Sequence, residues 1–174
     1  MPLKIEDLVF VDFEASSLEE DSWPVEVGMA WIEGNTVQSW SSLICPAPDW
    51  SMNAWSAVSA EIHGIPLSEL HGAPSAWEVA QEFLSRISGK TLVSDAPAFE
   101  SRWATRLVHA AVDSPKVQFS DYDAAAAHFF DGMALDCLYE RLERLHAPHR
   151  AGIDAERLAK GFLRGLEIQS PCPE

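Results

Sequence analysis

A few acids and histidines in this sequence have types and spacings that could do chemistry. Asp12 and Glu14 lie in "LVFVDFEASS", residues 8–17, among β-branched and aromatic residues. Side chains on a strand alternate between faces, so Val9, Val11 and Phe13 share one face and Asp12 and Glu14 the other. Taking a carboxylate out of water is costly even after the surroundings relax. Two aligned carboxylates also repel each other unless cations lie between them. Hard oxygen ligands of this kind suit Mg²⁺ or Mn²⁺. The alternative is that the strand has ended and both acids are solvated. The second constellation is "HRAGIDAERLAK", with His149 five residues before Asp154. Helical neighbours are three or four apart, so the pair does not share a helical face. His149 is expected in a loop and Asp154 in the first turn of the helix that follows. Asp154 precedes Leu158 by four and borders the apolar stripe, which aims it at the core. The alternative is an acid favoured by the helix dipole beside a surface histidine.

The elements that must position these residues follow from periodicity and turn signals. "DLVFVDFEAS", "PVEVGMAWIE" and "TVQSWSSLICP" read as three strands, with a "GNT" turn at 34–36 between the last two. An amphipathic helix is expected from about Pro74 to Ile87, with Trp77, Ala80, Phe83, Leu84 and Ile87 at helical spacing. "KTLVSD" is a fourth strand, "PAFESRWATRLVHAA" a helix and "KVQFSD" a fifth strand. "DAAAAHFFDGMALDCLYERLERLH" is helical with a break at Gly132. The last helix is "AGIDAERLAKGFLRGL", with Ala155, Leu158, Ala159, Phe162, Leu163 and Leu166 on one face. The order β-β-β-α-β-α-β-α-α describes an α/β domain: a three-strand antiparallel meander entering a mixed five-stranded sheet flanked by helices. Residues 1–170 form a single domain in this reading, and 171–174 a short tail.

Composition narrows the function. The chain has 27 acids against 12 Lys and Arg and a net charge of −15. Such a surface repels long polyanions unless metal ions or local basic patches intervene, which argues against a sequence-specific duplex-DNA binder. It leaves room for a metal enzyme that grips the end of a strand. Cys45, Cys137 and Cys172 are odd in number, far apart and form neither a zinc pattern nor a disulfide framework. No apolar run approaches the length of a membrane span, and no basic region precedes an apolar stretch at "MPLKIEDL". The expectation is a cytoplasmic protein without a membrane partner.

Together, "VDFEASSL" and "HRAGID" resemble the DEDDh family of 3′→5′ exonucleases, which includes the proofreading subunit of bacterial DNA polymerase III, ribonuclease T and oligoribonuclease. That family opens on a strand with Asp-x-Glu and ends with His-x-x-x-x-Asp opening a helix. It often carries a His-Gly-Ile segment between them, here "IHGIP" at 62–66. The resemblance covers nearly the whole chain in the right order and implies a ribonuclease H-like fold, in agreement with the element order. The middle motif departs from the family's "HNAxFD". Here it is "LVSDAPAFESRW", and without gaps Glu100 takes the place of the third acid and Asp95 that of the family's histidine. Asp95 is the competing third acid, or simply a cap for the following helix.

The resemblance implies a site in which Asp12, Glu14 and Asp154 hold one Mg²⁺ or Mn²⁺. Asp12 reaches a second ion, helped by Glu100 or Asp95, so that the ions flank an in-line displacement at phosphorus. His149 is then the general base that takes a proton from the attacking water, histidine being the side chain suited to that work near neutral pH. Ala15, Ser16, Ser17 and Leu18 meet the terminal 3′ hydroxyl and base, and His63 and Ile65 lie beside the terminal nucleotide. The substrates implied are single-stranded DNA or RNA 3′ ends, the products nucleoside 5′-monophosphates, and a homodimer is a form that several relatives take. Trp50, Trp55 and Trp103 are either stacking platforms or core anchors. Two other readings stay open: a nucleic-acid or nucleotide-binding module with a weakened metal site, and a phosphodiesterase for a small nucleotide.

Overall fold

The structure, a computed structural model, describes residues 3–113 and 116–169. The proposed tail at 171–174, with Cys172, lies outside them. The meander forms as the sequence predicts: β1 (Leu8–Ala15), β2 (Pro24–Glu33) and β3 (Thr36–Leu43). Next come two short helices that periodicity does not reveal, α1 (Ala57–His63) and α2 (Leu67–Leu70), and then α3 (Ala76–Ile87). Then follow β4 (Thr91–Ser94), α4 (Pro97–Val108), β5 (Ser120–Asp121), α5 (Tyr122–Phe129), α6 (Gly132–Arg144) and α7 (Ala151–Gln169). The sheet order is β3-β2-β1-β4-β5. The two pairings within the meander are antiparallel, and β1–β4 and β4–β5 are parallel. This is a ribonuclease H-like mixed sheet flanked by helices.

Three local expectations change. The fifth strand shrinks from "KVQFSD" to Ser120–Asp121, because only Val93 and Ser94 of the short β4 pair with it. Upstream, the Val117 N–H donates to Thr105 Oγ1 instead of a neighbouring strand. Helix α3 starts at Ala76, behind a capping box in which Ser75 and Glu78 satisfy each other's backbone donors. Its buried stripe is Ala76, Val79, Ala80 and Phe83, so Trp77 points outward at 55% exposure. Gly132, with φ 48°, sits at the break between α5 and α6.

The alternation of β1 divides the molecule into two cores. Val9, Val11, Phe13 and Ala15 pack against α3 and α4, with Trp23, Phe83, Trp103 and Leu107. Leu8 and Phe10 face the other way, against Tyr122, Leu138, Leu158 and Phe162 from α5, α6 and α7. Phe10 and Phe162 are fully buried with ring centroids 4.8 Å apart. Truncating either to alanine should cost about 3–5 kcal/mol. Asp12 and Glu14 continue the row of Leu8 and Phe10, so they emerge on the α7 side where the apolar core ends. Among the described residues no helix is long and apolar enough to cross a membrane.

Candidate active site

One close approach brings the two ends of the chain together. Gly28 pairs with Asp12 across β1–β2. A Cβ built on Gly28 would lie 2.0 Å from the Ala151 carbonyl oxygen. The first turn of α7 therefore rests directly on β2, and only glycine leaves it room. Asp154, in that turn, is 9% exposed and looks toward Asp12 and Glu14. Ligand atoms of Glu14, His149 and Asp154 lie within 4.8 Å of one another.

Glu100, in the first turn of α4, enters from the other side of β1 and is 2% exposed. Asp95, at the end of β4, is exposed but close enough for its charge to act on Asp12 and Glu100. Of the two sequence candidates for a third acid, Glu100 is thus the one buried in the cluster. Pro97 opens its helix, and the Glu100 N–H donates to the Ala96 carbonyl, so the side chain is held from the first turn.

The electrostatics are those of acids packed without enough positive charge. Burial, then the charges of Glu14, Asp154, Asp95 and Glu26, push the Asp12 carboxyl well above the usual carboxylate range. Burial, then Asp154 and Glu26, push Glu14 up to about 8, while Arg150 pulls it down. Glu100 is raised by burial and then by Asp12, Asp95 and Glu14. Asp154 is raised by burial, against the opposing effects of the Arg150 backbone N–H and His149. Glu100 Oε2 and Asp154 Oδ1 are buried with no hydrogen-bond partner among the described residues. Orphaned carboxylate oxygens and raised pKa values on four convergent acids fit a hard divalent cation such as Mg²⁺ or Mn²⁺.

Glu26 is the member of this site that sequence reasoning missed. It stands opposite Glu14 across the β1–β2 ladder, 4% exposed. Two facing glutamates are unfavourable, and Arg150 resolves the conflict. Its Nε and Nη2 donate to Glu26 at 3.0 and 2.7 Å, and the Ala151 N–H donates to the same carboxylate at 2.9 Å. The Arg150 backbone N–H donates to Asp154 Oδ2 at 3.0 Å. Residue 150 is thereby clamped on both sides. His149, next to the clamp, takes φ 57°, a left-handed conformation uncommon outside glycine, and its side chain is exposed. The expected loop histidine and first-turn aspartate are both in place. The hint of Glu26 in the sequence was an acid set inside the apolar run of β2 rather than at its end.

The segment after β1 is less open than the resemblance implies. Ala15 and Ser17 are each 7% exposed and Ser16 fully buried. Ser16 is a knot between loops: its N–H donates to Trp23 O, its Oγ accepts from the Trp23 N–H, and its carbonyl accepts from Ser56 N–H. Leu18, by contrast, is 69% exposed. His63 is buried at the end of α1, its Nδ1 accepting from the Ile65 N–H at 3.1 Å, with Nε2 unpartnered among the described residues. Burial lowers its pKa, and Glu26, Arg150 and His149 all act on it, so it borders the site. Ile65 lies in the α3–α4 core. Trp50 and Trp103 are buried anchors, with the Trp103 indole donating to Ser22 Oγ. Trp55 is half-buried and stacks on Trp23.

No protein-family model matches the chain, and no curated protein matches it. Solved structures do. The nuclease domain of 3′hExo, a DEDDh family member bound to rAMP, superposes with TM-score 0.66 at 14% identity, over 93% of this chain and 92% of that one. A 3′-exonuclease recognising the 3′ end of a histone mRNA stem-loop gives 0.67 at 12% identity, over 93% and 82%. The E. coli ExoI–ssDNA complex gives 0.66 at 12% identity, over 93% of this chain and 40% of that one, so this chain spans less than half of ExoI. The mixed sheet and flanking helices that position the carboxylates thus share the ribonuclease H-like fold of these 3′-exonuclease structures.

Proposed function

We propose that the protein is a metal-dependent 3′→5′ exonuclease that removes nucleotides from the 3′ end of single-stranded DNA or RNA or short oligonucleotides. One observation carries the reading: Asp12, Glu14, Glu100 and Asp154 converge on one under-neutralised site beside a loop histidine. The fold gives it context, since solved structures of this architecture include exonucleases complexed with single-stranded DNA and with rAMP.

Asp12, Glu14, Asp154 and Glu100 would hold the divalent ions, Mg²⁺ or Mn²⁺. When bound, such ions lower the pKa of a water and stabilise charge at phosphorus. His149 takes the proton of the attacking water at a ring nitrogen. The water oxygen forms a bond to phosphorus, the bond to the 3′ oxygen of the penultimate nucleotide breaks, and a nucleoside 5′-monophosphate leaves. Glu26 and Arg150 hold the histidine's loop, and Leu18 packs on the terminal base. We read the chain as a single cytoplasmic domain over residues 1–170, as a monomer or homodimer that sedimentation would distinguish.

Incubation of 5′-labelled DNA and RNA single strands with Mg²⁺ or Mn²⁺ tests the proposal. The expected result is a ladder shortening one nucleotide at a time, with 5′-monophosphates released. Metal binding without any ladder would favour a binding module, and cleavage of mononucleotide esters alone a small-nucleotide phosphodiesterase.

A further inference from the structure

A groove of about 1270 Å³ lies away from the carboxylates. It runs along the outer face of α4. Glu100, Trp103, Ala104, Leu107 and Val108 turn inward from that helix. Arg102, Thr105 and Arg106 turn outward and line the groove, with Lys116 and Trp77 among its other walls. Three cations thus face one acid, Asp49, in a chain where acids outnumber Lys and Arg 27 to 12. Elsewhere Lys4, Arg86, Arg144, Arg150, Lys160 and Arg164 each pair with a carboxylate, while Lys90, Arg141 and Arg157, outside the groove, have no such partner among the described residues. Among the described residues Arg102, Arg106 and Lys116 pair with no carboxylate either.

Three cations sharing one groove lined by a single acid, in an acidic protein, are complementary to an anion. The exposed face of Trp77 adds what a simple anion does not need, a flat apolar platform. Cations beside an aromatic plane match the alternation of phosphate and base in a single strand. The groove also joins the site. Arg102 Nη2 donates to the Leu18 carbonyl at 3.1 Å, and Arg106 Nη1 to the Asp21 carbonyl at 2.8 Å. The groove wall and the loop beyond β1 are therefore one piece. From Ser101 to Val108 the helix rises about 10 Å at ~1.5 Å per residue. That spans about three phosphates at the ~3.4 Å spacing of a stacked strand.

We propose that this groove binds the phosphodiester backbone of single-stranded nucleic acid, upstream of the 3′ end, with Trp77 stacking a base. The proposal rests on the exonuclease reading for the direction of the strand. Fluorescence anisotropy in EDTA, with a labelled single-stranded DNA 20-mer and a trimer, tests it on the full chain. The variants are Lys116→Glu and Trp77→Ala, both at exposed side chains, alone and combined. The wild type should bind the 20-mer at least about tenfold more tightly than the trimer. The combined variant should lose most of that advantage and leave the trimer unchanged. Lys116→Glu should also reduce the slope of log K against log salt by about 0.7, the share of one phosphate contact. Equal affinity for both lengths in the wild type, or unaltered 20-mer binding by the combined variant, would overturn the proposal. So would equal competition by a 20-residue polyglutamate peptide. Hydrolysis of the trimer with Mn²⁺ reports on the carboxylates separately. Trimer cleavage with no groove-dependent binding defeats the groove alone, and groove-dependent binding without cleavage defeats the exonuclease reading alone.

Discussion

Helix α4 has like charges gathered on both of its sides. Inward, Glu100 joins Asp12, Glu14 and Asp154; outward, Arg102 and Arg106 join Lys116. The two regions differ in burial. The carboxylates are largely buried, with the guanidiniums of Arg150 and Arg157 nearby and two oxygens without a partner among the described residues, and burial and mutual repulsion push their pKa values up. The cations sit at a half-buried or exposed surface, where water and salt screen them. A buried cluster demands a compact counter-ion of high charge and discriminates by geometry. A solvated one attracts any polyanion and discriminates by length and salt. One helix can therefore separate chemistry from grip.

The largest test of this contrast is Asp12→Ala. Hydrolysis should fall by at least about a thousandfold, since Asp12 lies where the other acids converge. Circular dichroism should show an intact fold, because removing one of several repelling charges leaves no cation stranded. The Lys116-dependent affinity for a 20-mer should survive. Turnover like that of the wild type would break the assignment of chemistry to the inner side.

Next in size is the pair Glu100→Gln and Asp95→Asn. The buried Glu100 should cost about a hundredfold in kcat and the exposed Asp95 less than about threefold. The reverse order would make Asp95 the third acid. Glutamate's longer arm should also give more activity with Mn²⁺ than with Mg²⁺ at equal concentration.

Glu26→Gln should lower kcat about tenfold by loosening His149, with little change in KM, as expected of a positioning residue. It should also cost about 1–2 kcal/mol of stability, because a charge-assisted fork to Arg150 is lost in a site only partly open to water. An unchanged melting temperature and rate would remove Glu26 from the site.

The smallest effect is a pH dependence of stability without metal. Glu14 holds its proton in the folded state up to about 8, whereas the unfolded chain releases it near 4.5. The folded state therefore binds more protons between those values, and stability falls as pH rises through the window. The metal-free melting temperature should drop by several degrees from pH 5.5 to 8.5. Glu14→Gln should flatten the curve, and millimolar Mn²⁺ should raise its alkaline end. A wild-type curve that rises over this window would contradict the cluster's electrostatics.

Much of this was legible in the sequence, for reasons that also explain the omissions. Period-two alternation put Asp12 and Glu14 on one face, and a five-residue spacing kept His149 out of the helix that carries Asp154. Both are local properties. Glu26 and Gly28 were not legible, because their meaning lies in contacts with Arg150 and Ala151, far along the chain. Trp77 was misplaced because helical spacing from Ala80 also fits a tryptophan. The stripe really starts at Ala76, whose small side chain gives almost no hydrophobic signal. The fifth strand was overdrawn because β propensity in "KVQFSD" does not reveal how short its partner β4 is.

The contact at Gly28 has a consequence for synthesis on the ribosome. All five strands precede α7 in the chain, so the sheet can assemble while Asp154 and His149 are still unmade or inside the exit tunnel. The acid cluster, and any nuclease activity it supports, comes into being only when α7 docks on β2, a late and long-range event. Docking adds an acid to a face that already carries Asp12, Glu14 and Glu26, which opposes it electrostatically. The Glu26–Arg150 fork offsets that repulsion, and divalent cations should speed the step. A nascent chain lacking α7 would lack Asp154 and the contact that seats the His149 loop, so the cluster is assembled only once this region has been translated.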